Sequence, residues 1–132
     1  MSSLIGKVYP SYFRYYDKKC NGIKIKSRPV MIVGVPLIAQ DLEYVVLPVS
    51  TLLNKSCYCD EYDIFLEKSS LIDSTLDKDS YVRAHKRTVI YKADIDFTKC
   101  IVDLKKNHPP IFAEIIDKMS KYDSLIKESA KI

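Results

Sequence analysis

The chain reads as an α+β protein of one domain, a small β-barrel with a C-terminal amphipathic helix. Two neighbouring apolar runs, residues 27–35 and 44–51, are rich in the β-branched residues that suit a pleated sheet. Short runs of this kind recur along the chain, separated by turn signals such as Asn21-Gly22. Only the segment after Pro109-Pro110 carries apolar residues at helical spacing over several turns.

At 132 residues the chain can bury a core without disulfide staples, and 47% apolar with 29% charged residues excludes a disordered polymer. A formal charge of +4 permits a polyanionic partner without demanding one. The charge is uneven. Lys7, Arg14, Lys18, Lys19, Lys24, Lys26 and Arg28 face a single acid, Asp17, over residues 7–28, whereas residues 41–79 are net acidic. The first residues form no continuous apolar stretch of signal-peptide length, and no run reaches the roughly 18 residues that span a bilayer. The expectation is a cytoplasmic protein with no membrane partner, whose Cys20, Cys57, Cys59 and Cys100 are thiols. Cys57-Tyr58-Cys59 lacks a nearby histidine and a second close pair, so neither metal nor cofactor is expected.

In chain order, residues 6–10 read as a first strand stopped by Pro10. Residues 11–22 interleave aromatic and basic side chains, a composition that suits stacking on unpaired bases; the plainer reading is that Tyr12, Tyr15 and Tyr16 cover the barrel. Residues 23–35 form one long strand or two with a bend near Pro29. Residues 44–53 form its partner, with Pro48 expected on an edge or at a bulge that re-aims Ser50 and Thr51. A polar loop follows, then a short strand over 62–66 and a Ser/Asp-rich loop over 69–79. Residues 79–91 read as one more strand with His85 near its middle, and 95–104 as a short strand or a helix start plus strand. From Pro109, the residues Ile111, Phe112, Ile115, Ile116, Met119, Tyr122, Leu125 and Ile126 describe a core-packing helix.

A cation at the start of one apolar strand and a hydroxyl pair at the end of the next call for their own explanation. Arg28 can offer two parallel donors to phosphoryl oxygens, and Ser50 and Thr51 can add neutral donors at the same centre. The pattern therefore points to a phosphate-handling site.

The order of short matches resembles the toxin endoribonucleases of the MazF/PemK fold. Gly6-Lys7-Val8-Tyr9 is similar to the family's opening strand, Ser27-Arg28-Pro29-Val30 to its arginine-proline strand, and Val46-Leu47-Pro48-Val49-Ser50 to its hydroxyl-ended strand. Asp79-Ser80-Tyr81-Val82 and Lys86-Arg87-Thr88 resemble later family segments. The Gly-Ser-Glu type loop of protein-inhibited members is absent. In its place, residues 12–19 are similar to the tyrosine-and-lysine entry of the ToxN/AbiQ/CptN branch, which is restrained by a repeated, structured RNA.

The resemblance implies an SH3-like (MazF/CcdB-like) barrel spanning residues 1–132 as a single endoribonuclease toxin domain. It implies metal-independent, sequence-specific cleavage of RNA, both messenger and precursor antitoxin RNA, by 2′-hydroxyl attack to a 2′,3′-cyclic phosphate. It implies a type III toxin-antitoxin system with a role in phage defence, an antitoxin RNA as partner, and an oligomeric assembly with it. Carried over by position, Arg28 and Ser50 come first as catalytic residues, then Thr51 and Tyr12. His85 joins them as the histidine whose ring titrates in the useful range. Lys7, Tyr9, Arg14, Tyr15, Lys24, Lys26 and Arg87 are the expected RNA contacts. The alternatives are a MazF-like enzyme restrained by a protein antitoxin and a non-catalytic RNA- or protein-binding barrel. A related gyrase-poisoning fold relies on a C-terminal tryptophan, and this chain has no Trp.

Overall fold

The computed structural model describes residues 3–38, 40–51 and 55–131. Among these residues seven strands and two α-helices follow in the order β1 (Lys7–Asp17), β2 (Gly22–Gly34), β3 (Glu43–Ser50), β4 (Asp63–Leu66), β5 (Ser80–Arg83), β6 (Thr88–Tyr91), β7 (Val102–Asp103), α1 (Leu104–Asn107) and α2 (Pro109–Ala130). Every strand pairing is antiparallel. The sheet runs β4-β5-β3-β2-β1-β7, with β6 added to β3, and curls into a half-barrel.

The sheet is buried on both faces at its centre. Strand alternation sends Val8, Met31, Leu47, Val49 and Val82 to one side, where Leu104 and Ile115 from the helices complete a core. It sends Tyr9, Val30, Ile32 and Val46 to the other side, closed by Ile95 and flanked by Phe97 and Tyr44. Pro109 opens α2 at a position where a missing N–H costs nothing. Ile111, Phe112, Ile115 and Met119 pack on the first core, but Leu125 and Ile126 remain about half exposed. The apolar stripe of α2 therefore outruns the sheet it covers.

Pro10 does not end the first strand, which continues to Asp17. Pro10 faces Pro29 across the β1–β2 pair, and the Pro10 carbonyl accepts from the Asp96 N–H at 2.9 Å on the outer side. Its nitrogen points the same outward way, so the ladder between the two strands loses no donor. The hairpin turn falls where Asn21-Gly22 predicts. Asn21 adopts φ 51°, its side-chain oxygen meets the Tyr16 hydroxyl, and the Lys19 N–H donates to Asp17 Oδ1 at 2.9 Å.

Pro48 lies in a central strand, away from the β2–β3 irregularity between Ile32 and Gly34, but on its other side it falls in a gap of the ladder among the described residues, a local edge. The far edge of β3 changes partners around Pro48. β6 pairs with Glu43 to Val46, and β5 pairs with Val49 and Ser50. Leu47 and Pro48 are thus opposite the five residues 83–87, and the single strand expected over 79–91 is two strands with an excursion between them. His85 belongs to that excursion. The part of the third expected strand beyond Thr51 lies outside the described residues.

Gly6 fixes the entry to β1. Its φ is +87°, its N–H donates to Ile32 O at 2.8 Å, and a Cβ there would stand 2.5 Å from Lys105 Cβ. The close approach lets Leu104 N reach Gly6 O at 3.0 Å, which ties α1 to the sheet.

Candidate functional site

Arg28, Ser50 and Thr51 line one open cleft of about 460 Å³, together with Lys26, Ser27 and Lys78. The β2–β3 register explains why. Val30 is opposite Pro48, so Arg28 and Ser50 sit two residues further toward the same end of adjacent strands. They also sit on the same face, because the side-chain period of a strand is two. A second cleft, of about 430 Å³, shares Arg28 and Ser50 and is walled by Phe13, Val30, Pro48 and Ile90, with the Ser11 and Thr88 hydroxyl residues at its lining. The two spaces meet at the arginine: one is hydroxyl- and cation-lined, the other largely apolar.

The hairpin positions Arg28. Its carbonyl accepts from the Ser11 hydroxyl at 2.8 Å, and its guanidinium carbon lies 5.0 Å from the Phe13 ring centroid. Lys78 arrives from the loop before β5. That loop is pinned by the Lys68 N–H on Asp79 Oδ1 (2.8 Å) and by the Ser80 hydroxyl on Lys78 O (2.9 Å). Among the described residues, the first cleft is lined by three cationic side chains and no carboxylate. Three cations with hydroxyl groups beside them make a site for an anion such as a phosphodiester.

The other expected residues divide. Tyr12 lies on the hairpin face opposite Arg28, and its hydroxyl donates to Asp96 Oδ2 at 3.4 Å. Thr98 holds that carboxyl below its ordinary range, chiefly through its hydroxyl and then its N–H. Tyr9 is only 3% exposed and packs edge-on against Phe97 at 5.1 Å; it belongs to the core and offers no face to a base. Burial foremost pushes its hydroxyl pKa up. Lys7 stands at the start of β1, half buried. Arg87 pairs with Asp123 of α2 at 2.9 Å. Tyr15, Lys24 and Lys26 share the Arg28 face of the hairpin, while Arg14 shares the Tyr12 face.

His85 stands apart from the cleft. Its ring packs between Tyr62 and Tyr122, with centroids 5.5 and 5.9 Å away, under α2. Among the described residues its buried Nδ1 has no hydrogen-bond partner, and it lies 3.9 Å from Asp63 Oδ1. Asp63 is already engaged by Arg83 Nε (3.0 Å) and the Cys59 N–H (2.7 Å). Desolvation therefore dominates and lowers the His85 pKa, against the opposing pull of Asp63. This position under α2 corrects the expectation that His85 stands with Arg28 and Ser50 in the cleft.

Phe13 and Lys78 were not expected in the site. Phe13 differs from its tyrosine neighbours in lacking a hydroxyl, a signal that the tract contains a purely apolar wall. Lys78 carries no local signal, since only the folded loop brings it to Thr51.

No protein-family model matches this chain, and no curated protein matches it in sequence. The observations define a small α+β protein whose half-barrel presents a basic, hydroxyl-lined cleft at the base of an exposed hairpin. No helix among the described residues is long and apolar enough to cross a membrane.

Proposed function

We propose that this protein is a metal-independent endoribonuclease of the MazF/PemK fold, a toxin of the branch restrained by structured antitoxin RNA. The observation that carries the reading is the convergence of Arg28, Ser50 and Thr51 on one cleft. The guanidinium neutralises the non-bridging oxygens, and the two hydroxyls hold the phosphodiester in line with the neighbouring 2′-oxygen. That oxygen attacks phosphorus and loses its proton. The bond to the 5′-oxygen breaks, and the leaving oxygen takes up a proton. The products are a 2′,3′-cyclic phosphate and a 5′-hydroxyl. Lys78 and Lys26 line the same cleft and add positive charge beside the phosphoryl oxygens. The tyrosine- and lysine-rich hairpin supports the RNA-restrained branch over the protein-restrained one, and an oligomer with that RNA is its expected assembly.

A second reading is capture of RNA without chemistry. It is favoured by one feature: no imidazole, carboxyl or phenol lines either cleft among the described residues. End-group analysis of single-stranded RNA incubated with the protein in EDTA separates the two. A cyclic phosphate supports the enzyme, and intact, retained RNA supports the binder.

A further inference from the structure

We propose that the Arg28 face of the β1–β2 hairpin is a track for an extended, unpaired RNA strand, with Phe13 and Tyr15 as platforms for two successive bases. The inference rests on the phosphate-binding reading of the cleft and adds the form in which RNA reaches it.

Beyond Ser11 the hairpin leaves the body of the sheet, and its side chains on both faces are exposed. The register places Ser11 opposite Arg28, Phe13 opposite Lys26 and Tyr15 opposite Lys24, so rings on one strand alternate with cations on the other. Arg28 lies over Phe13 at 5.0 Å and Lys26 over Tyr15 at 5.9 Å. The two rings are 41% and 38% exposed, and their centroids are 6.4 Å apart. That spacing is nearly twice the rise of about 3.4 Å per nucleotide within a duplex strand. It suits a stretched strand whose bases have separated and settle one per ring. The cations repeat at the same interval, because they too are alternate residues of a strand.

Charge gives the track a direction. Its one acid, Asp17, lies at the far end and is paired with Lys24 at 3.2 Å. Lys26, Arg28 and Lys78 follow toward the cleft with no carboxylate among the residues that line it. Phe13 also walls the apolar space next to Arg28, so a base on this ring belongs to a nucleotide flanking the gripped phosphate. The opposite face also carries rings, Tyr12 and Tyr16 either side of Arg14, but their hydroxyls are engaged by Asp96 and Asn21, and the residues facing them across the hairpin are Ser27, Ile25 and Ile23, not cations.

The chain has no tryptophan, so Tyr15→Trp installs a single indole in the track. The probe is a short single-stranded 2′-O-methyl oligonucleotide, which lacks the nucleophile and cannot be cut. Its titration is expected to quench the indole and to saturate. Phe13→Ala and Tyr15→Ala, compared by anisotropy of the labelled oligonucleotide, are expected to weaken binding about tenfold each. The same sequence as a duplex should compete poorly. Unmoved indole emission during Arg28-dependent binding overturns the track, as does wild-type affinity in Phe13→Ala or equal competition by the duplex. Quenching without cleavage of unmodified RNA upholds the track and removes the nuclease reading; cleavage without quenching does the reverse.

Discussion

The guanidinium of Arg28, on β2, rests 5.0 Å from the centroid of the Phe13 ring, on β1, at the border of two clefts that Ser50 also lines. The ring restrains a long side chain that solvent would otherwise leave mobile, a contact of about 0.5–1 kcal/mol at an exposed site. Arg28→Lys keeps the charge but loses the planar fork, so RNA cleavage should fall at least about tenfold with the melting temperature unchanged. Cleavage at the wild-type rate would show that a point charge suffices.

Binding should depend steeply on salt. For single strands the slope of log K against log salt is about −0.7 per phosphate neutralised, so Lys26, Arg28 and Lys78 together give about −2. Lys78→Ala should make the slope shallower by about 0.7. An unchanged slope would place Lys78 outside the contact surface.

His85 should govern acid stability. Burial lowers its folded pKa below the ordinary value of 6.5, so below that pH the unfolded chain binds more protons. The His85 contribution is complete above 6.5 and is lost as pH falls from there toward the depressed folded value. The groups around it act in both directions: Asp63 favours the charged ring, whereas Arg83 and Lys86 oppose it. Thermal melts from pH 8 to pH 5 should therefore show a decline below 6.5 that His85→Phe removes. A decline of equal size in the variant would assign it to other groups.

The joint between sheet and helices should be sensitive to one methyl group. Gly6→Ala combines a positive φ with a 2.5 Å approach to Lys105 Cβ, and it should cost about 1–3 kcal/mol. Ile115, fully buried on the core-facing side of α2, should cost about 2–5 kcal/mol on conversion to Ala. Urea midpoints measure both, and a midpoint shifted by less than the error in either variant would contradict the packing described.

The parts of the fold that sequence reading captured are those set by local chemistry. The Asn21-Gly22 turn needs only its own residues, and α2 announces itself through Pro109 and its periodicity. What it missed depends on a partner strand. Pro10 was expected to end a strand, but facing Pro29 it turns its bare nitrogen outward. Residues 79–91 read as one strand, because nothing local shows that β3 changes partners around Pro48. That change throws His85 out of the sheet and under α2, away from the cleft. Arg28, Ser50 and Thr51 were legible because polar groups at the ends of two apolar strands are conspicuous. Phe13 and Lys78 were not, since cross-strand register and loop docking bring them there. Tyr9 shows the converse error: an aromatic residue in a basic tract that tertiary packing claims for the core.

The most direct measurement is cleavage of a defined single-stranded RNA in EDTA, comparing wild-type protein with the Arg28→Ala/Ser50→Ala double variant. The account predicts fragments ending in 2′,3′-cyclic phosphate from the wild type, and a rate at least about 10²-fold lower from a double variant with an unchanged circular dichroism spectrum. Undiminished cleavage by the double variant, or none by the wild type, would contradict it.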